Sequence, residues 1–376
     1  MRRHTRLIID LKILHENFIK LKKRCCHNEI IFMVKANGYG HGLLPLTRYA
    51  IESIGIGTFG VASLPEALYL KNELKDLDFD IWVFSDINLD DDLGLKAYEH
   101  NSIQPVISSL SCLKIFLSQK IFKNFPLVLK INTGMNRLGI SASEWEAASK
   151  MILDSGRKSI QHLMSHFANS SFQMESDELS QTQLRQFADG KNLFRAKGIS
   201  IEATSISNSG AILQNIGLGE SHVRPGLILY GPSTLNKNLL QQFPWEGRCV
   251  SSLKANVIQV FHVNKGEPVG YSGTLTPAAG SMAILAAGYG DGLPTVLKNS
   301  VLSSVAGNPQ IHGKINMDML QLFFPDSCGK KVVPGQEIEL WGHDQDDLLN
   351  LANQSGLIPY ELLCLISDRV PREYHY

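Results

Sequence analysis

Residues 30–42 read IIFMVKANGYGHG, and this stretch is the most informative of the chain. Its first part, Ile30–Val34, is a short apolar run, typical of a strand buried in a parallel sheet and too short for an ordinary helix. Lys35 follows at once, where an unpaired ammonium is costly to bury, and the glycines after it let the backbone turn sharply. A partly desolvated amine favours carbonyl chemistry, although a solvated lysine before a tight turn fits the same residues.

Similar apolar runs recur through the first two thirds of the chain and alternate with helix-like stretches such as Leu64–Glu73 and Ser143–Leu153. After Ile30–Val34 the runs are Gly57–Ala62, Ile81–Phe84, Gln104–Ile107, Leu127–Ile131, His162–Met164, Ile201–Ile206 and His222–Arg224. Strands that alternate with helices pair in parallel. The count predicts an α/β fold over residues 11–238, a closed (β/α)8 TIM-type barrel, with a doubly wound open sheet as the alternative.

The pattern changes after about residue 235, where strand-like runs follow one another with little helix between them. These runs are Val250–Val260, Ser281–Ala287, Val301–Val305 and Ile338–Trp341, with Gly and Pro between them. They predict a separate, mostly-β domain over residues 239–376. Residues 1–10 contain an alternating segment, and we expect it to be a strand that joins this second domain.

Composition is that of an ordinary globular protein, with 36 basic and 36 acidic residues among 376. This balance argues against a nucleic-acid or membrane partner. Six cysteines without Cys-x-x-Cys spacing indicate free thiols in a reducing compartment and no metal site. Residues 1–14 are basic at first, but Asp10 and Lys12 interrupt the apolar segment, so we expect a cytoplasmic protein rather than a secreted one.

Polar residues stand where several of the predicted barrel strands end. Lys35 follows the first strand, Lys130 ends the fifth, His166 follows the sixth, Asn208-Ser209 follow the seventh, and Arg224 closes the last segment. In a barrel these ends share one rim, and that rim is where active sites lie.

A series of short blocks then resembles the alanine racemases, which depend on pyridoxal phosphate. The blocks are Val34–Gly42, Lys130–Gly139, Ser165–Ala168, Asn208-Ser209, Val223–Gly231, Val269–Thr274, Gly288–Gly292, Met317-Asp318 and Tyr360–Arg372. They stand in the family's order and span nearly the whole chain, so the set is specific although each block alone is weak.

The resemblance implies a two-base reaction. Lys35 forms the Schiff base (internal aldimine) with the cofactor and acts as base on one face of the substrate's α-carbon. Tyr271 acts on the other face, and because the family takes this tyrosine from the partner's β domain, the resemblance implies a homodimer. Tyrosine is a poor base at a pKa of about 10, and a hydrogen-bond chain through His166 to Arg224 would favour its phenolate.

The resemblance also assigns cofactor and substrate contacts. Arg224 faces the pyridine nitrogen, where a fixed cation disfavours protonation. The phosphate would be held by Ser209, the backbone of Gly226 and Leu227, and the hydroxyls of Tyr39 and Tyr360. The substrate carboxylate would be held by Arg137 and by Met317, which like Tyr271 comes from the partner, while Tyr289 lines the pocket. Lys130 matches a position that is often carbamylated, which would orient Arg137.

The chain departs from the family pattern at two positions. No acidic residue follows His166 closely, where Ser171 stands, and Thr295 replaces an arginine. A charge buried without its partner is costly, so the loss of the acidic residue together with the arginine makes physical sense. We therefore predict an uncharged access gate around Ser171 and Thr295.

The resemblance therefore implies interconversion of L- and D-alanine, supplying D-alanine for peptidoglycan. A serine or broad-specificity racemase is the close alternative. A barrel-type pyridoxal-phosphate amino-acid decarboxylase is a more distant alternative, and the Tyr271 and Arg224 blocks fit a racemase better. A non-catalytic cofactor-binding barrel is another, and the second domain that carries Tyr271 argues against it.

Overall fold

The computed structural model describes residues 5–101 and 103–376. Its first strand, β1 (Thr5–Asp10), belongs to a second sheet, and the next eight strands form a closed parallel barrel in chain order. The barrel strands are β2 (Glu29–Met33), β3 (Thr58–Ser63), β4 (Asp80–Asp86), β5 (Ile103–Ile107), β6 (Val128–Lys130), β7 (Ser159–Met164), β8 (Ser200–Asn208) and β9 (His222–Arg224). Strand β2 pairs with both β3 and β9, so the sheet has no free edge. The predicted (β/α)8 barrel is confirmed, and the open-sheet alternative is wrong.

Helical segments follow the strands of the barrel, and the one directly after β2 is only a short turn. They are α1 (Leu11–Arg24), α2 (Lys35–Tyr39), α3 (Leu43–Tyr49), α4 (Leu64–Glu73), α5 (Asp92–Asn101), α6 (Leu110–Ser118), α7 (Trp145–Asp154), α8 (Glu178–Ala196), α9 (Ser209–Leu213), α10 (Leu227–Tyr230) and α11 (Lys237–Gln242). Capping residues in the local sequence explain where several of these helices begin. Asp10 caps α1 by accepting from the Lys12 N–H at 2.9 Å, and Ser63 and Glu66 form a capping box at the start of α4.

The interior of the barrel is packed with side chains rather than hollow. Ile31, Trp82, Val106, Val128 and Met164 form a buried cluster inside the ring of strands. Such packing keeps water out below the rim, so the space for chemistry lies above it, at the carboxyl ends of the strands.

The second domain is built on a seven-stranded sheet. Its remaining elements are β10 (Ser251–Val263), β11 (Pro268–Val269), β12 (Thr274–Leu275), β13 (Gly280–Leu285), β14 (Gln310–Ile311), β15 (Leu320–Pro325), β16 (Glu337–Trp341), α12 (Gln345–Ser355), α13 (Pro359–Cys364) and β17 (Arg372–His375). The sheet order is β14-β15-β13-β10-β1-β17, with β16 also paired to β10, while β11 and β12 form a separate hairpin. A barrel with a mostly-β C-terminal domain is therefore the observed architecture.

Strand β1 lies between two strands of the second domain. It pairs antiparallel with β10, with Thr5 opposite Ala255, and parallel with β17, with Leu7 opposite Arg372. Residues 1–4 of the predicted N-terminal strand lie outside the described residues. The first and last strands of the described residues are thus neighbours in one sheet.

The prediction of a strand over Val301–Val305 is wrong. Val301 makes a single bridge to Gln310, and the residues after it form turns. Gly307 and Asn308 both adopt positive φ, so turn-forming residues decide the conformation there despite the flanking valines. The β-strand pattern also gave no sign of β15, α12 and α13, which complete this domain. In the described part of the chain no helix is both long enough and apolar enough to cross a membrane.

Candidate active site

A cavity of about 520 Å³ opens at the carboxyl ends of the barrel strands. It brings together most of the residues predicted from the sequence: Lys35, Tyr39, Lys130, Arg137, His166, Ser209, Arg224, Gly226 and Tyr360. Met33, Phe84, Ser85, Leu138, Met164, Asn208 and Ile358 complete the lining. Tyr360 reaches the cavity from α13, so the second domain of the same chain closes one side of it.

The segment that carries Lys35 has an unusual backbone. Ala36, Asn37, Gly38 and Tyr39 have φ values of 53°, 54°, 61° and 51°, so α2 is one turn of left-handed helix. Each residue with a Cβ costs about 1–2 kcal/mol in this conformation. Such strain persists only where the surroundings hold it, and it is typical of functional sites.

Contacts from three directions hold this left-handed turn. The Ala36 N–H donates to Glu66 Oε1 at 2.7 Å, and the Leu43 N–H donates to Asn37 Oδ1 at 2.8 Å. From the second domain, Arg372 Nε donates to the Gly40 carbonyl at 3.2 Å, and the Tyr374 hydroxyl donates to the His41 carbonyl at 3.0 Å. The position of Lys35 is thereby fixed by both domains.

Lys35, Lys130, Arg137 and Arg224 give the cavity a concentration of positive charge, and none of its described lining residues is acidic. Burial, followed by the charge of Arg137, lowers the pKa of Lys35. Burial, followed by the charges of Arg224 and Arg137, lowers the pKa of Lys130 to about 7. Both amines are therefore available in the neutral form more readily than an exposed lysine.

Arg224 is buried without a carboxylate partner among the described residues. Its guanidinium donates to Ser205 Oγ and to the carbonyls of Ser165 and Ile206, and burial lowers its pKa to about 9. One of its nitrogens, Nη2, lies 3.5 Å from His166 Nδ1. The charge is held by neutral acceptors, so it remains available to whatever enters the cavity.

His166 is neutral in this setting. Burial, followed by the charge of Arg224, holds its pKa well below the ordinary value. An arginine can only donate, so the contact with Arg224 makes Nδ1 an acceptor and leaves the proton on Nε2. The amide nitrogen of Asn208, 3.4 Å from Nε2, is then a neighbour rather than a hydrogen-bond donor.

Three hydroxyl groups line the same cavity, those of Tyr39, Ser209 and Tyr360. Ser209 Oγ accepts from the Gly226 N–H at 3.0 Å, and the ring of Tyr39 lies 5.8 Å from that of Tyr360. A Cβ on Gly226 would lie 2.4 Å from the Tyr39 hydroxyl, so only glycine permits this approach. Leu227 follows in sequence with its side chain fully buried beneath the site.

Three predicted site residues lie elsewhere in the chain. Tyr271, Tyr289 and Met317 are in the second domain, with exposed fractions of 69%, 47% and 54%, and they do not line the cavity around Lys35. Tyr271 occupies the tip of the β11–β12 hairpin, between Gly270 and Gly273 with positive φ. Asp318, next to Met317, pairs with Arg369 at 2.6 Å.

The predicted gate residues, Ser171 and Thr295, are exposed and lie outside the lining of the cavity within one chain. The uncharged gate therefore stays a prediction. No cluster of three or more potential metal ligands occurs among residues 5–101 and 103–376.

Sequence reasoning missed the residues that support the site. Glu66 could have been found as the fourth member of a Ser63-x-x-Glu66 capping box, but its bond to the Ala36 N–H depends on how α4 packs beside β2. Ser165 was seen only as part of the block Ser165–Ala168, and Ser205, inside strand β8, belonged to no block and gave no signal. Arg372 was seen only as part of a motif.

Two sequence profiles match the chain. The profile for "Alanine racemase, N-terminal domain" matches residues 9–234, and that for "Alanine racemase, C-terminal domain" matches residues 250–374. A protein named alanine racemase from Alcanivorax borkumensis is 32% identical over 98% of this chain and 99% of its own length. A catabolic alanine racemase from Pseudomonas putida is 31% identical over 99% of each chain.

Solved structures agree. An alanine racemase from Bartonella henselae with covalently bound pyridoxal phosphate superimposes with a TM-score of 0.85, at 28% identity and 100% coverage of both chains. One from Streptomyces lavendulae, at 24% identity, shares the fold with a TM-score of 0.87 over 100% of this chain and 98% of its own. The resemblance seen in the sequence blocks is confirmed, and the chain belongs to the alanine racemase family.

Proposed function

We propose that this protein interconverts L- and D-alanine with pyridoxal 5'-phosphate as cofactor. The observation that carries the proposal is the cavity in which Lys35, Lys130, Arg137 and Arg224 meet without an acidic partner among the described lining residues. Such a cluster of cations is stable only with anions nearby, and a cofactor phosphate together with a substrate carboxylate would supply them. Relatives that match over nearly the whole chain are named alanine racemases.

The residues present fit this cofactor. The hydroxyls of Tyr39, Ser209 and Tyr360, which line the cavity, would donate to a phosphate, together with the backbone N–H groups of Gly226 and Leu227 that the resemblance implies. Arg224, in the same lining, would face a ring nitrogen. Bound there, the cofactor would supply a conjugated ring that spreads the negative charge left when the α-proton departs.

Lys35 combines nucleophile and base in this proposal. Its lowered pKa and its fixed place beside the cavity favour an amine that would hold the cofactor's aldehyde covalently, with loss of water. With substrate bound, Lys35 Nζ would accept the α-proton on one side of the substrate or return it. The contacts of Glu66 and Arg372 to the left-handed turn keep Nζ in reach.

The second base is the partner's Tyr271. Within one chain Tyr271 is exposed and absent from the cavity, as are Tyr289 and Met317, so a second copy of the chain must bring them there. The proton on His166 Nε2 would then be directed at the phenolic oxygen, and the Arg224 charge behind it favours the phenolate. The site thus supports a homodimer in which each cavity is completed by its partner's second domain.

Arg137 would grip the substrate carboxylate as a bidentate donor. Lys130, whose pKa is lowered to about 7, is neutral above that pH and would add carbon dioxide with release of one proton. The resulting carbamate would orient Arg137 and reduce the excess of positive charge. This accounts for a buried lysine that no carboxylate pairs with among the described residues.

The product D-alanine would serve peptidoglycan synthesis, as the resemblance implies. We place the reaction in the cytoplasm because all six cysteines are free, which is typical of a reducing compartment.

An assay of the purified protein for D-alanine formed from L-alanine tests the proposal, with L-serine as competing substrate. We expect alanine to be the better substrate and Lys35→Ala to have no measurable activity while it remains folded. Release of carbon dioxide, or equal activity in Lys35→Ala without added amine, would contradict the proposal.

A further inference from the structure

A line of buried polar side chains runs through the barrel directly beneath Arg224. His162 on β7, Ser205 on β8 and Arg224 on β9 are exposed by only 1%, 0% and 4%. The His162 ring packs edge-on against Trp82, with centroids 4.8 Å apart, and against His222 at 4.9 Å. A barrel interior is ordinarily apolar, so these groups need a reason to be there.

The hydrogen bonds along this line can run in only one direction. Arg224 Nη1 donates to Ser205 Oγ, and Ser205 Oγ lies 2.6 Å from His162 Nε2. No other acceptor for the Ser205 hydroxyl lies within hydrogen-bond distance among the described residues. The hydroxyl proton therefore goes to His162 Nε2, which must be an unprotonated acceptor. Burial, followed by the charges of His222 and Arg224, lowers the pKa of His162, in agreement with a neutral ring.

The same line determines where the guanidinium sits. Ser205 Oγ is the only hydroxyl bonded to Arg224 among the described residues, and the remaining strong contacts are the carbonyls of Ser165 and Ile206. The register between β8 and β9 shifts between Ser205 and Asn208, and this bulge directs the Ile206 carbonyl towards Arg224. Without the His162 acceptor, the buried Ser205 hydroxyl would have no acceptor where it stands, and it could regain one only by rotating, which would move its oxygen away from Arg224.

We propose that His162 is a positioning residue that acts through Ser205 on Arg224 and so sets how the cofactor ring is held. The proposal rests on the proposed function, because it takes Arg224 to be the residue that faces the ring. His162 touches neither substrate nor cofactor.

Paired variants test it. His162→Leu removes the acceptor, His162→Gln keeps an acceptor oxygen, and Ser205→Ala removes the link. Val106→Ala is the matched control, because Val106 is buried in the interior cluster that contains Trp82, against which His162 packs, but makes no hydrogen bond in the line. Measurements are the affinity of the apoprotein for pyridoxal phosphate, the absorbance band of the bound cofactor, and kcat and KM for alanine.

We expect His162→Leu and Ser205→Ala to share one shift of the absorbance band, with cofactor affinity and kcat each lower by roughly tenfold, the effect of losing a hydrogen bond to a charged group. KM should stay within about twofold, since Arg137 rather than Arg224 binds the carboxylate. The double variant should be no worse than either single one, and His162→Gln should restore the wild-type band. Val106→Ala should lower the stability of the fold but leave the absorbance band and the cofactor affinity at wild-type values.

A wild-type band and affinity in His162→Leu, or an equal shift in Val106→Ala, would overturn the proposal. Crystal structures of His162→Leu and His162→Gln separate it from the proposed function. The guanidinium should move in the first and not in the second, and an unmoved Arg224 in the first refutes the positioning role. If the wild-type protein neither racemises alanine nor binds pyridoxal phosphate, the proposed function fails, and the Arg224 position still decides the role of His162.

Discussion

The candidate functional side chains are buried in the barrel and exposed in the second domain. In the barrel, Lys130 and Arg224 are exposed by only 6% and 4%, and burial perturbs the pKa of each. In the second domain, Tyr271 and Met317 are exposed by 69% and 54%. The barrel contains a cavity lined by buried charged groups, whereas the second domain exposes large aromatic and apolar side chains to solvent.

Under the proposed function, a single chain carries two halves of the site that do not meet each other. The cavity would supply phosphate donors, a ring partner and one base, but no second base on the far side of the α-carbon. A racemase needs both, since the proton leaves one face and returns to the other.

The largest effect is expected from mixing two inactive variants. Lys35→Ala removes the barrel base, and Tyr271→Phe removes the hydroxyl of the second domain, with a loss of about 10²–10⁴-fold in kcat. Heterodimers formed by coexpression or by refolding the mixture contain one cavity with both wild-type residues. Racemase activity should therefore return to about one quarter of the wild-type value for a random mixture of symmetric dimers.

The control for this experiment combines two barrel lesions, Lys35→Ala with Arg224→Ala. Every cavity in such a heterodimer keeps one lesion, so activity should stay absent. Heterodimers of Lys35→Ala and Tyr271→Phe that form but remain inactive would show that Tyr271 does not act across the interface.

A smaller effect on activity is expected from replacing Lys130, a buried amine in a cavity whose described lining contains no acidic residue. Lys130→Ala should raise KM for alanine and lower kcat/KM by about 10- to 100-fold, because Arg137 loses the group that orients it. The wild-type protein in ¹³C-labelled bicarbonate should show a carbamate signal by NMR that Lys130→Ala lacks. Lys158→Ala, a lysine remote from the cavity, serves as control and should retain both. A carbamate signal that survives in Lys130→Ala would assign the modification elsewhere.

The smallest effect concerns acid stability and follows from buried histidines in the barrel. Burial lowers the pKa of His41 to about 4, and the pKa values of His162, His166 and His222 are also lowered. Below the unfolded pKa of about 6.5, the unfolded chain binds protons that the folded chain does not, so the free energy of unfolding falls as pH falls. For His41 this continues to about pH 4.

Urea unfolding at about pH 6.5 and about pH 5.5 measures this loss, which is at most about 1.4 kcal/mol per pH unit for each histidine. His162→Gln should flatten the pH dependence of the free energy of unfolding by the contribution of one histidine. Stability that does not change in this range would mean that these histidines are not neutral in the folded protein.

Local patterns were enough to predict the barrel and most of its rim. Apolar runs alternating with helices predicted the eight strands to within a few residues, because burial on both faces requires continuous hydrophobic segments. The pattern failed at Val301–Val305, where turn geometry at Gly307 and Asn308 overrides β propensity. The pattern had no means of placing Glu66 against Ala36 or Arg372 against Gly40, since these contacts join residues far apart in the chain.

By itself, the sequence determined the barrel and the separate β domain, because periodicity is a local property of the chain. The candidate arginine and tyrosine side chains came from the resemblance of short sequence blocks to a family, which is also read along the chain. Only the tertiary structure decided which of these residues share a cavity, that Lys35 sits on a left-handed turn held by both domains, and that Tyr271 lies outside its own site. Those outcomes depend on distances between remote segments, and burial, charge and hydrogen-bond direction act only after those distances are set.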